Sequence, residues 1–127
     1  GGRRITPLEG ESLLPACADQ GWSRERPLCW EHEGNRAVRD GRWKLVSRYP
    51  GRWELYDMVA DRTELNDLSE RYPDVVRRLV AIYGDWAARC GVLPWTEVRQ
   101  RFSPATRERM DSYMELLGTI ASMRKEE

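Results

Sequence analysis

The chain has 127 residues, enough for one small domain but too few for a complete α/β hydrolase of several hundred residues. Its 21 Lys plus Arg balance 21 Asp plus Glu, so no global field draws it toward nucleic acid or an acidic membrane. No stretch approaches the roughly 20 apolar residues of a membrane span.

The start, Gly1-Gly2-Arg3-Arg4, has neither an initiator Met nor a signal-like apolar region, so the chain reads as cut from something longer. Residues 1–26 carry Pro7, Gly10, Pro15 and Gly21 with little periodicity. That pattern predicts an extended lead-in loop pinned by Leu8, Leu13 and Leu14.

From Pro27 onward, short runs rich in β-branched and aromatic residues alternate with Gly and Pro, which are strand signals. Four strands are predicted near Leu28–His32, Asn35–Arg39, Trp43–Ser47 and Trp53–Tyr56. Asp40-Gly41 suits a two-residue type I′ turn, which would set Val38 opposite Trp43 and Arg36 opposite Leu45 on the buried face. Arg36 is then a charge on an apolar face and needs a partner or access to water.

Asp57 to Tyr72 is turn-like, with Asp61, Asn66 and Asp67 as local caps. A helix is predicted over Pro73–Cys90, because Val76, Leu79, Val80, Tyr83, Ala87 and Cys90 recur at helical spacing and Gly91 offers a C-terminal cap. That stripe should pack on the sheet. Ser103-Pro104 resembles an N-cap with a helix-starting Pro, opening a second helix to about Met123. Met110, Tyr113, Met114, Leu117 and Ala121 form its apolar face, while Arg124 and Lys125 suit the negative end of its dipole. The fold class is therefore α+β: a small antiparallel sheet of about four strands with a packed helix, plus an additional C-terminal helix.

Three cysteines, Cys17, Cys29 and Cys90, are odd in number and widely spaced, so they propose neither a disulfide framework nor a zinc ribbon. Each is expected to be a small buried or half-buried side chain. Asp57, Asp61, Glu64 and Asp67 form an acidic cluster without the spacing of a calcium loop, and turn chemistry is the expected role. Trp30, Trp43, Trp53 and Trp86 are read as core, Trp22 and Trp95 as interface residues. His32 stands at a strand end before Glu33-Gly34-Asn35-Arg36, either as a hydrogen-bonded structural residue or as one of a donor set, His32, Asn35 and Arg36, for an anionic oxygen group.

The run from Trp30 to Leu45, with His32-Glu33-Gly34-Asn35-Arg36 followed by Asp40-Gly41-Arg42-Trp43, looks like one arylsulfatase C-terminal signature. Glu54-Leu55-Tyr56-Asp57-Met58, continuing through Thr63-Glu64-Leu65-Asn66-Asp67-Leu68, looks like another. The lead-in Thr6 to Pro15 and the finish Gly91-Val92-Leu93-Pro94-Trp95 are similar to the family's flanking segments, so the match spans roughly Thr6 to Trp95. The chain thus resembles the C-terminal subdomain of a bacterial arylsulfatase.

The resemblance implies three parts: the lead-in loop over 1–26, the subdomain over 27–95 and a helical extension over 96–127 beyond the match. It implies docking on an alkaline-phosphatase-like catalytic domain that holds a formylglycine and a calcium ion, with no cofactor in this piece. None of the cysteines here lies in the Cys/Ser-x-Pro/Ala-x-Arg motif that is matured to formylglycine, so the piece is expected to be inactive alone. The implied partners are that catalytic domain and, in the full-length protein, a sulfate-ester substrate met by His32, Asn35 and Arg36. The parent would be periplasmic or exported. The alternative is an independent interaction module, with a homodimer through residues 104–123.

Overall fold

The computed structural model describes residues 10–19 and 21–123. Along the chain come α1 (Leu14–Ala18), β1 (Leu28–His32), β2 (Asn35–Asp40), β3 (Trp43–Ser47), β4 (Trp53–Asp57), α2 (Pro73–Cys90), α3 (Trp95–Gln100) and α4 (Pro104–Met123). The strands form an antiparallel meander in the order β1-β2-β3-β4. The architecture is the α+β class expected from the strand and helix patterns.

Alternation sorts the sheet into two faces. Val38, Leu45 and Leu55 are fully buried on the inner face, where Leu79 and Tyr83 of α2 meet them. Trp43 packs on Tyr72 and Trp53 on Tyr83, with ring centroids 5.2 and 5.5 Å apart, so aromatic pairs extend this small core at both ends. Helix α2 has the expected bounds and ends on Gly91 in the left-handed region, φ 66°.

The β2–β3 register differs from the expectation. The closing pair is Asp40↔Trp43, so the loop is Gly41-Arg42, Val38 faces Leu45 and Arg36 faces Ser47. Gly41, φ 54°, occupies the first loop position, where a Gly supplies the positive φ that hairpin twist requires. The shift is two residues, which leaves every side chain on its expected face; a slip of one would have inverted them. The type I′ signature of two successive positive φ angles occurs instead at Glu33-Gly34, between β1 and β2.

Edge strand β4 is closed by the loop that follows it. The N–H of Leu55 donates to Asp67 Oδ1 at 3.0 Å, and its carbonyl accepts from the N–H of Leu68 at 2.8 Å. Asp67 also takes the N–H of Ser69, so its cap role satisfies an edge that would otherwise remain open. Asp61 accepts the N–H groups of Leu65 and Asn66 and so shapes the preceding turn.

Several expectations need correction. Trp30 lies on the outer face of β1 and is 47% exposed, because its alternation partners are Cys29 and Glu31 on the inner face. The lead-in contains the short helix α1 rather than only extended chain, and Leu13 and Leu14 are exposed rather than pinning; Leu8 lies outside the described residues. Cys17 and Cys90 are exposed, and only Cys29 is half-buried. Arg124 and Lys125 lie outside the described residues.

Candidate functional site

The β1–β2 hairpin carries the donor set named from the sequence. Glu31 Oε1 accepts the N–H of Gly34 at 2.7 Å, and Asn35 Nδ2 donates to the carbonyl of His32 at 2.9 Å, so the turn is locked from both sides. Asn35 Oδ1 also accepts the N–H of Tyr49 at 3.1 Å. The Asn35 amide is thus committed to joining the hairpin to the β3–β4 loop, whose Tyr49–Pro50 peptide is cis.

Arg36 lies on the opposite face. Its guanidinium stands 4.5 Å from the Trp53 ring centroid and 5.9 Å from that of Tyr83, and Nη2 donates to Ser47 Oγ at 2.9 Å. Its Nε is buried without a protein acceptor among the described residues. Aromatic faces and one hydroxyl therefore supply the partners that a charge on an apolar face requires. His32 is exposed on the outer side of β1. The fold gathers Asn35 and His32 at the turn and directs Arg36 into the helix-covered layer, so the three do not converge on one point.

Beneath the turn is a cavity of about 220 Å³ bordered by Glu31, Arg36, Tyr49, Tyr83 and Trp95. Gly34, at φ 83°, lets Tyr49 and Trp95 close on the turn: a Cβ there would lie 2.8 Å from Tyr49 Cδ2 and 2.9 Å from Trp95 Cδ1. Trp95 therefore packs within the chain, against the hairpin and Phe102.

A larger recess, about 440 Å³, opens between α3 and α4 over Tyr49, Trp95, Arg99, Met110 and Met114. Arg48 holds α4 in place by donating to the carbonyls of Met114 and Leu117, each at 3.1 Å. Arg99 bonds Asp111 at 2.5 Å. Hydrogen bonding with Tyr49, then with Asp111, raises the Arg99 pKa above its ordinary value. None of Arg48, Tyr49 and Arg99 stood out in the sequence, because they meet α4 across long separations and follow no motif.

The acidic cluster does not fit a calcium site. Asp57 pairs with Arg42 and accepts the N–H of Val59, Glu64 pairs with Lys44, and Asp67 pairs with Arg52 besides its backbone donors. The Arg42 hydrogen bond is the main cause holding the Asp57 carboxyl below the usual range; for Asp61 it is the N–H of Asn66. Each carboxylate already serves a local donor set, whereas calcium needs about six or more oxygens aimed at one point. Among the described residues no group of three or more His, Cys, Asp or Glu could hold a metal ion, and no helix is long and apolar enough to cross a membrane.

No protein-family model matches the chain, and no curated protein matches it.

Proposed function

We propose that this chain is the C-terminal α+β subdomain of a sulfuric ester hydrolase of the arylsulfatase type, packing on the catalytic domain and completing a wall of its substrate pocket. The order and spacing of the signatures from Trp30 to Leu45 and from Glu54 to Leu68 support this reading. The observation that carries it is the one-sided sheet. Helix α2 covers the inner face, while the outer cross-strand row Trp30, Ala37 and Val46 leaves a Trp 47% exposed. A half-bare apolar row of this kind suits an interface.

In this reading the formylglycine and calcium belong to the catalytic domain, and this chain supplies shape. His32 is the member of the donor set exposed to meet a substrate, Asn35 fixes the turn that carries it, and Arg36 supports the turn from below. The test is an aryl sulfate assay, with calcium, of this chain and of the polypeptide encoded immediately upstream, separately and mixed. The chain alone should show no turnover, and mixing should raise the activity of its partner. Calcium-dependent turnover by this chain alone, or an upstream sequence lacking Cys/Ser-x-Pro/Ala-x-Arg, would remove the reading.

A second reading, an interaction module that pairs with its own copy, draws on α4. Tyr113, Leu116, Ile120 and Met123 are exposed along one side of that helix.

A further inference from the structure

The end of the sheet that holds the β2–β3 turn opens on a recess walled by arginine. Its volume is about 520 Å³, and Arg24, Arg26, Arg39 and Arg42 all line it, with Leu28 and Val59 as apolar walls. Among the described residues no carboxylate lines it. In a chain whose formal charges cancel, four guanidiniums around one recess form a local field of one sign.

Three of these arginines are tied back. Arg26 Nε donates to Glu11 Oε1 at 2.7 Å, and Arg24 Nη1 lies 3.8 Å from Glu11 Oε2 while its Nε donates to the carbonyl of Arg26 at 3.1 Å. Arg42 meets both oxygens of Asp57 through Nε and Nη2, and its Nη1 takes no part in that pair. Arg39 is different: among the described residues it has no ion pair and no side-chain hydrogen bond. It also stands directly opposite Lys44 in the β2–β3 register, a like-charge pair that costs stability unless a negative charge offsets it. Glu64 offsets Lys44, and no described carboxylate does so for Arg39. Four arginines therefore share the two carboxylates Glu11 and Asp57, which leaves an excess of two positive charges.

We infer that this recess binds a phosphate monoester dianion, its terminal oxygens held by Arg24, Arg39 and Arg42 and its organic group lying on Leu28 and Val59. Guanidinium forks suit such oxygens, and two negative charges restore the local balance. The size selects an ester over the bare ion: at about 30 Å³ per water, the recess holds far more than a phosphate group fills. Val59, 73% exposed, is available to cover the remainder. Arg24 and Arg42 are already positioned by their carboxylates, so Arg39 is the side chain left to order on binding. The site lies at the opposite end of the β1–β2 ladder from His32 and Asn35 and does not depend on the sulfatase reading.

The experiment titrates phenyl phosphate, inorganic phosphate and phenyl sulfate into the isotope-labelled chain at about pH 8, where the two phosphates are mainly dianions. Ionic strength is held constant, and amide chemical shifts are followed. Phenyl phosphate should shift Arg39, Gly41 and Arg42 saturably and bind more tightly than inorganic phosphate, for want of an organic group, and than phenyl sulfate, for want of a charge. Arg39→Gln should weaken it by about tenfold, the counterpart of one hydrogen bond between charged groups. That variant removes a like-charge pair, so it should stay as stable as the parent in urea. Arg77→Gln, on the exposed side of α2, should leave binding unchanged. Absence of saturable shifts, or binding that Arg39→Gln leaves intact, would overturn the site. Inorganic phosphate or phenyl sulfate binding as tightly as phenyl phosphate would overturn the assignment of its ligand.

Discussion

The Arg36 guanidinium stacks 4.5 Å from the centre of the Trp53 ring, joining a charge on β2 to an aromatic face on β4 across the intervening β3. Tyr83 of α2 lies on the same guanidinium at 5.9 Å, and Ser47 of β3 accepts one of its N–H groups. Four elements therefore meet at one side chain. Arg36→Ala should destabilise the fold by about 1 to 3 kcal/mol, the sum expected for a partly desolvated cation–π contact and a hydrogen bond from a charged group. Arg36→Met keeps the aliphatic stem and should lose less. Urea unfolding of both variants checks this; an unchanged midpoint for Arg36→Ala would mean that this side chain does not tie the four elements together.

Gly34 and Gly41 both have positive φ, at 83° and 54°, but only Gly34 is crowded. An alanine at Gly41 meets open space and should cost about 1 to 2 kcal/mol, the conformational penalty alone. At Gly34 the same change adds an overlap with Tyr49 and Trp95 and should cost clearly more, with a loss of near-ultraviolet circular dichroism from the displaced Trp95. Equal urea midpoints for the two variants would show that Trp95 is not seated against the hairpin.

The strands and both long helices were legible because their signals are local. Alternation marks β1 to β4, Pro73 and Gly91 bracket α2, and Ser103 Oγ accepts the N–H of Thr106 at the start of α4. The β2–β3 register was not legible. Asp40-Gly41 and Gly41-Arg42 are both acceptable loops, and a two-residue shift preserves the buried face, so hydrophobic pattern cannot choose between them. Helices α1 and α3, of 5 and 6 residues, are too short to show a periodic stripe. Of the candidate site, the anomaly of Arg36 could be read, but not its partners, since Trp53 and Tyr83 reach it from β4 and α2. Trp30 misled for a simpler reason: its alternation gave the outer face, while its size suggested the core.

Two sets of titrating groups should bound stability on both sides of neutrality. Burial, reinforced by the hydrogen bond to Glu54, raises the Tyr56 phenol well above its ordinary value, and burial also raises Tyr83. A folded-state pKa above the unfolded one gives stability that is complete below about pH 10 and is lost as pH climbs past it. Asp57, Asp61 and Asp67 have the opposite sign. In Asp67 burial pushes upward, but the donors Leu55, Ser69 and Arg52 together outweigh it. Their contribution is complete above about pH 4 and is lost as pH falls below. Tyr56→Phe should flatten the alkaline limb of unfolding free energy against pH and leave the acid limb unchanged. An unaltered alkaline limb would mean that Tyr56 ionises freely in the folded protein.

Helix α4 separates two apolar sides that the sequence merges into one. Met110, Met114 and Leu117 are half-buried on the side held by Arg48, whereas Tyr113, Leu116, Ile120 and Met123 face outward and are exposed; the side chain at position 121 is not described. The outward residues recur at steps of three, four and three, the spacing of a coiled-coil seam. Such a stripe can meet its own copy without any new feature, and about three turns of seam support a weak association only. Sedimentation of the chain should therefore show a reversible monomer–dimer equilibrium in the micromolar to submillimolar range. Leu116→Glu with Ile120→Glu should hold it monomeric while leaving the urea midpoint nearly unchanged, because neither side chain contributes to the sheet core. A wild-type chain that stays monomeric throughout that range would eliminate the self-association reading.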